Sequence, residues 1–310
     1  MSSNKKNKVK LIIITGPTAS GKTSLAVRLA SDINGEIISA DSRQIYKGMD
    51  IGTGKDLDEY IYNGNEIQYH LIDILNPNED YSVYSFQKDF IRAYKNIRQK
   101  NKTPIVCGGT GLYIESILLN YDLSQKPPPD KKLRDSLENY NKDNLLDIIK
   151  SLADADELDK MLLSTKKQII RNIEILKNDN MKTGLSFLPM NDDSIVIALN
   201  IERNLLREKI KYRLIDRINN GMIEEVNQLV KNGLSMERLD YFGLEYRHVG
   251  QYLKNEISKD KMIENLTTLI RKFAKRQRTW FRRMERRGIK IHWIKYNDYD
   301  DLYNIVNAHR

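Results

Sequence analysis

An α/β fold, with a parallel sheet flanked by helices and a helical insertion, is predicted for this 310-residue chain by three observations. Apolar, β-branched runs alternate with helical periodicity through residues 1–120. The template G-x-x-x-x-G-K-[ST] joins the first apolar run to the first helical pattern. A purely helical stretch then interrupts the alternation, and strand patterns return at residue 195.

Residues 9–15 form the first predicted strand and residues 24–32 the helix after it. Between them stand Gly16, Pro17, Thr18, Ala19, Ser20, Gly21, Lys22 and Thr23. The glycines let backbone N–H groups turn inward, and the helix N-terminus adds positive potential. Lys22 supplies a point charge, and the Thr23 hydroxyl is the candidate ligand for Mg²⁺. These eight residues are the candidate phosphate-binding loop, and the core is P-loop NTPase-like.

A second strand over 36–39 runs into Asp41, Ser42, Arg43 and Gln44. The helix predicted over 85–99 places Phe86, Phe90, Tyr94 and Ile97 on one face. A short buried strand over 104–107 ends at Gly108-Gly109-Thr110-Gly111, and residues 112–119 open another helix. The strand ends at Thr15, Ser39 and Cys107 then share the carboxyl edge of the sheet, where ligands of such folds collect.

Pro127-Pro128-Pro129 breaks the pattern, and residues 130–177 show helical periodicity without a strand. The expected division is a catalytic core of residues 1–120 and 194–310 around an inserted helical domain of residues 121–193. Beyond it come a strand over 195–199, helices over 205–219 and 260–287, a strand over 290–294 and a helix over 299–308. On the long helix, Ile263, Leu266, Ile270, Phe273, Trp280 and Met284 read as the core-facing stripe, which Gln277 interrupts. Gln277 is then either a buried hydrogen-bonding partner or a base contact.

The net charge is +9, and its location is informative. Arg271, Lys272, Lys275, Arg276, Arg278, Arg282, Arg283, Arg286 and Arg287 face a single acid, Glu285, in one segment. Such a concentration is the electrostatic footprint of a nucleic-acid binder. Cys107, the single cysteine, excludes a disulfide framework and reads as a buried structural thiol. No run of about 18 apolar residues exists, so no membrane span is expected. The polar start also lacks a signal-peptide core, and a cytoplasmic, monomeric protein is expected.

The phosphate loop alone fits kinases, NTPases and transferases that expel diphosphate. The loop at 16–23 together with Asp41-Ser42-Arg43-Gln44-Ile45-Tyr46, Gly48-Met49-Asp50-Ile51-Gly52-Thr53, Tyr69-His70-Leu71-Ile72-Asp73-Ile74 and Gly108-Gly109-Thr110-Gly111-Leu112-Tyr113 resembles the bacterial tRNA dimethylallyltransferases. The resemblance resumes at Tyr212-Arg213, Gly221, Glu224-Glu225-Val226 and Ala274 to Phe281, covering nearly the whole chain. It implies transfer of a dimethylallyl group from dimethylallyl diphosphate to the exocyclic N6 of the adenine 3′-adjacent to the anticodon.

By that resemblance Asp41 is the catalytic base, Arg213 the arginine on the leaving diphosphate, and Thr18 a hydroxyl close to the reacting amine. The tRNA anticodon stem-loop would meet Asp41, Ser42, Arg43, Gln44 and Thr110 around an everted adenine. Arg134, Lys167, Gln168, Ile169, Ile170 and Arg171 would meet it from the insertion, and Lys275, Arg276, Gln277, Arg278, Thr279, Trp280, Phe281 and Arg282 from the basic helix. Aspartate capping a turn, a solvated arginine on a charge-rich helix, and Thr110 as a plain turn residue are the competing readings. His70 is read as structural. The chain departs from the family at Leu244-Glu245-Tyr246-Arg247, where many relatives carry glycine before the Tyr-Lys/Arg pair. Rival functions are a free-adenylate dimethylallyltransferase, which needs neither insertion nor basic helix, and a P-loop kinase.

Overall fold

The central strands are apolar on both faces, which requires cover on both sides and favours a parallel sheet. A computed structural model of the protein describes residues 10–119, 121, 130–159, 161, 163–177 and 194–309. The Pro127–Pro129 break, the polar N-terminal residues and the last part of the expected insertion lie outside them.

The chain begins with β1 (Leu11–Thr15), α1 (Lys22–Asp32) and β2 (Gly35–Ser39). A 3₁₀ turn (Leu57–Tyr60), the hairpin β3 (Ile61–Tyr62) and β4 (Asn65–Glu66), and the short β5 (Tyr69–His70) follow. Then come α2 (Val83–Gln99), β6 (Thr103–Gly108) and α3 (Gly111–Leu118). The Ser82 hydroxyl caps α2 by accepting the Ser85 N–H at 3.1 Å.

After the insertion the order is β7 (Ser194–Asn200), α8 (Arg203–Asn219), α9 (Met222–Lys231), α10 (Met236–Phe242), α11 (Leu244–Leu253), α12 (Lys259–Arg286), β8 (Ile291–Lys295) and α13 (Tyr299–His309). The insertion itself carries α4 (Lys131–Leu137), α5 (Lys142–Leu152), α6 (Ala155–Asp159) and α7 (Lys166–Lys177). The three helices α9 to α11 were not anticipated from the sequence, although α9 is strongly amphipathic.

The main sheet has the order β5-β2-β6-β1-β7-β8, with all pairs parallel. Ile14 stands opposite both Cys107 on β6 and Ile197 on β7. Alternation along β1 sends Ile12 and Ile14 to a layer with Leu25, Leu29, Leu302 and Val306. It sends Leu11 and Ile13 to the opposite layer with Phe86, Phe90, Ile114 and Phe281. The winding direction reverses between β6 and β1, so the crevice at their carboxyl ends is the expected ligand site.

A third core joins α8 to α12 around Leu206, Ile210, Leu214, Phe242 and Leu266. The helix α12 therefore serves two cores: Met262, Leu266, Ile270 and Ala274 face the third, and Phe281 and Met284 the sheet. Its buried stripe is rotated from the expected one. Phe273 is exposed at 39% and Ile263 and Trp280 are half-buried, while Ala274, Gln277 and Phe281 are buried.

The chain divides into two units, Met1–Asn120 with Pro189–Arg310, and Tyr121–Leu188. The second unit contains helices over Lys131–Leu137, Lys142–Leu152, Ala155–Asp159 and Lys166–Lys177. Leu137, Leu145, Ile149, Ile169 and Ile173 form its core. Glu174, fully buried, receives Arg134 through Nε at 2.5 Å and Nη2 at 2.8 Å, and Arg171 at 2.9 Å. Burial alone would raise its carboxyl pKa, but these two arginines hold it below the usual range.

Candidate functional site

A cavity of about 660 Å³ opens at the carboxyl edge of the sheet, beside the switch point. The loop after β1 lines it with Thr18, Ala19, Gly21, Lys22 and Thr23, while Gly16, Pro17 and Ser20 are buried behind. Burial lowers the Lys22 pKa and neighbouring Arg213 adds to the effect, with Cys107 and Asp41 pulling the other way. Cys107 is inert: burial pushes its thiol up to about 12.

Asp41 stands two residues beyond β2. Its Oδ1 accepts the Arg43 N–H at 2.9 Å, a turn contact that also fixes the carboxylate in the cavity wall. Aspartate therefore caps the turn and faces the site at once. The Ser42 N–H donates to the Thr110 hydroxyl at 3.1 Å, which ties the loop after β2 to the loop after β6. Gln44 is a brace: its Oε1 accepts from the Ser39 hydroxyl at 3.0 Å and its Nε2 donates to the Gly54 carbonyl at 2.9 Å.

The turn at 50–56 hangs from Glu225 on α9. The N–H groups of Asp50, Ile51 and Gly52 donate to that carboxylate at 2.7, 2.7 and 3.0 Å, and the Tyr246 hydroxyl donates to it at 2.8 Å. Beneath the turn, the buried Lys55 donates to the Tyr46 carbonyl at 2.7 Å and pairs with Asp50 and Asp73. Gly54, at φ 64°, brings the backbone against α8, and a Cβ there would collide with the guanidinium of Arg217.

Arg213 and Arg217 lie one turn apart on α8 and both line the cavity. Arg213 donates to Asp56, and Arg217 approaches the same carboxylate at 3.7 Å. Burial raises the Asp56 pKa, but the two guanidiniums prevail and hold it below the carboxylate range. Glu59, with no such hydrogen bond, is pushed up by burial and by Asp56.

Gln277 on α12 closes the floor. Its Oε1 accepts the Thr18 N–H at 2.8 Å and its Nε2 donates to the Gly109 carbonyl at 3.0 Å, so it is a buried hydrogen-bonding partner that also lines the cavity. Gly109 has no room for a Cβ because the Gln277 amide occupies that place.

Several expected RNA-facing residues are engaged inside the protein. Phe281 and Ile169 are fully buried and present no surface. Arg134 and Arg171 hold Glu174, and Gln168 accepts the Thr165 N–H at 2.9 Å as half of a capping box. Ile170 packs against the insertion core. Trp280 is half-buried, with the guanidinium of Arg283 4.0 Å from its ring centroid. Arg283 and Arg287 both pair with the buried Glu115, at 2.5 and 2.7 Å. Lys167, Lys275, Arg276, Thr279 and Arg282 are exposed, and Arg278 is half-buried with Asn200 at 3.4 Å.

His70 is structural, 2.8 Å from buried Glu36. Sequence reasoning did not single out Asp56 or Arg217; the second was discoverable from its i+4 spacing to Arg213. Glu225, quoted only within a motif, is the anchor of the 50–56 turn.

Among the described residues no three His, Cys, Asp or Glu side chains cluster as a metal site. Asp41 and Glu59 are the carboxylates whose charge acts on Lys22, and the Thr23 hydroxyl stands beside it in the cavity lining. No helix among them is long and apolar enough to cross a membrane.

A profile described as IPP transferase matches residues 44–284, and one described as isopentenyl transferase matches residues 9–70. The chain is 47% identical over 294 residues to tRNA dimethylallyltransferase 1 of Syntrophus aciditrophicus, covering 94% of this chain and 95% of that relative. It is 46% identical over 307 residues to tRNA dimethylallyltransferase 1 of Azobacteroides pseudotrichonymphae, covering 96% and 97%. It is similar to the structure of the full-length tRNA isopentenylpyrophosphate transferase from Bacillus halodurans, with TM-score 0.69, 29% identity and 97% of each chain covered. A eukaryotic dimethylallyltransferase captured acting on tRNA gives TM-score 0.75 at 25% identity, covering 94% of this chain and 75% of that one.

Proposed function

The chain belongs to the IPP transferase family, and from that premise we propose that it transfers a dimethylallyl group from dimethylallyl diphosphate to N6 of the adenine 3′-adjacent to the anticodon of tRNA, releasing diphosphate. The observation that carries the proposal is the convergence of Asp41, the phosphate loop and Arg213 on one cavity.

The chemistry assigns each a task. An adenine amine is a poor nucleophile because its lone pair is delocalised into the ring. As N6 bonds to the allylic carbon, the carbon–oxygen bond to diphosphate breaks and the N6 proton passes to the Asp41 carboxylate. The growing charge on the leaving group is met by the loop N–H groups, Lys22 and Arg213. Thr18, whose N–H is fixed by Gln277, lines the cavity, and its hydroxyl is assigned a place beside the reacting amine.

Mg²⁺ belongs to the same proposal. The Thr23 hydroxyl fits it, since Mg²⁺ at phosphate sites takes few protein ligands and fills its shell with phosphate oxygens and water. Bound there, it would neutralise diphosphate charge and speed its departure.

The RNA is favoured over a free nucleotide as acceptor by the surface around the cavity. Tyr212 is 75% exposed at its lining, with Phe273 and Arg276 beside it, a combination suited to stacking bases and holding phosphates. The proposal has the enzyme acting as a cytoplasmic monomer on the anticodon stem-loop.

Diphosphate release provides the test. With labelled donor, an unmodified tRNA transcript should release diphosphate in proportion to acceptor, AMP should release none, and ATP should remain intact. Release with AMP alone identifies a free-adenylate enzyme, and transfer of the ATP γ-phosphate identifies a kinase.

A further inference from the structure

We propose that Arg217 is a second guanidinium ligand of the diphosphate, acting beside Arg213, a role that rests on the diphosphate reading of this cavity. Its side chain is 12% exposed and lines the cavity together with Lys22. Its Nε and Nη2 are sealed from solvent and donate to nothing. Its ion-pair partner, Asp56 Oδ2, is 3.7 Å from Nη2, beyond hydrogen-bond reach, and already serves Arg213.

Other arginines of this fold show what a structural guanidinium looks like. Arg238, 18% exposed, spends Nε on the Pro77 carbonyl at 2.8 Å, Nη1 on Asp80 at 2.6 Å and Nη2 on the Glu79 carbonyl. Arg283 and Arg271 each leave Nε unmatched but donate through Nη2. Arg217 alone among the described residues leaves two buried side-chain nitrogens unmatched.

A buried cation with unused donors is costly, and proteins retain such groups where a ligand completes them. Burial, reinforced by Arg213, lowers the Arg217 pKa to about 10, so the site already disfavours its charge. Asp56 and Glu245 are the acids that oppose this, and burial raises Glu245 itself, which weakens it as a counter-charge. An incoming diphosphate supplies the missing negative charge, and its oxygens meet the sealed donors once the guanidinium turns toward the cavity. Glycine at 54 is the local adaptation, since it clears the backbone from both guanidiniums; a Cβ there would also lie 2.7 Å from Arg213 Nη2.

The test is binding of inorganic pyrophosphate with Mg²⁺ to the full-length protein by calorimetry, with melting temperature measured in parallel. Arg217→Met should bind pyrophosphate about tenfold to a hundredfold more weakly, the effect of losing a charge-assisted contact. Its melting temperature should be unchanged or raised, because the substitution removes an unmatched buried cation. Arg217→Lys, which keeps the charge and loses the fork, should fall between the two. If wild-type protein binds pyrophosphate and Arg217→Met binds it within twofold, the role of Arg217 is overturned. A melting temperature lowered in both variants, with pyrophosphate and tRNA binding weakened alike, makes Arg217 structural and also overturns it. Failure of the wild-type protein to bind pyrophosphate instead removes the diphosphate reading of the cavity, a separate outcome.

Discussion

The side-chain oxygen of Gln277 accepts the backbone N–H of Thr18 at 2.8 Å across 259 residues of sequence, while its amide donates to Gly109. The helix that displays the basic residues thereby also sets the floor of the phosphate loop. Binding charge and catalytic geometry are joined through one residue.

Replacing Gln277 by leucine should strip partners from the half-buried Thr18 N–H and the buried Gly109 carbonyl, at about 1–3 kcal/mol for the carbonyl and less for the N–H. Urea unfolding should register that loss, and kcat should fall by roughly tenfold or more because the loop no longer holds Thr18 in place. Unchanged stability and turnover would show that the bridge is incidental.

Asp41→Asn should lower the single-turnover rate by roughly 10²–10⁴ with little change in tRNA affinity. The amide can still accept the Arg43 N–H through its oxygen, so the turn survives while the proton acceptor is gone. A near-normal rate would assign Asp41 to the turn alone.

Neutralising Lys275, Arg276 and Arg282 together should flatten the salt dependence of anticodon-stem-loop binding by about two to three units in log K against log salt. All three are exposed, and no salt bridge engages them among the described residues. Arg283 and Arg287 should behave differently, since removing either leaves buried Glu115 short of a partner and costs stability. An unaltered slope in the triple variant would remove this helix face from RNA binding.

The Glu174 cluster gives a pH dependence. Burial raises the Glu174 carboxyl pKa, but Arg134 and Arg171 overcome it and hold the folded value below the unfolded one, about 4.3. Its contribution is therefore complete above the unfolded pKa and lost as pH falls through the folded value. Acid melts of Glu174→Gln and wild-type protein should converge toward low pH and separate near neutrality. A constant difference across the range would contradict the ion-pair account.

Where apolar character varied along the chain, the fold was legible. Ile12 and Ile14 against Leu11 and Ile13 mark β1 as a strand covered on both faces, and the loop from Gly16 to Thr23 marks the end of the sheet where the cavity opens. The stripe of α12 was misplaced because exposed Phe273 resembles core and buried Gln277 does not, and apolar Met262, Ala274 and Phe281 on the true face were passed over. The site was legible where residues sit within motifs, as Asp41 and Arg213 do. Asp56 and Arg217 escaped notice because their meaning depends on a contact across more than 150 residues, on a helix crowded with other charges. The insertion residues Arg134 and Arg171 look like free cations in sequence, and only the fold reveals that buried Glu174 takes them.

The most direct test of the central claim is nucleoside mass spectrometry of an unmodified tRNA after incubation with the enzyme, Mg²⁺ and isotopically labelled dimethylallyl diphosphate. The account predicts one labelled dimethylallyl group on N6 of the adenine 3′-adjacent to the anticodon, and none when that adenine is replaced by another base. Label elsewhere in the tRNA, or label appearing on AMP while the tRNA stays unmodified, would contradict it.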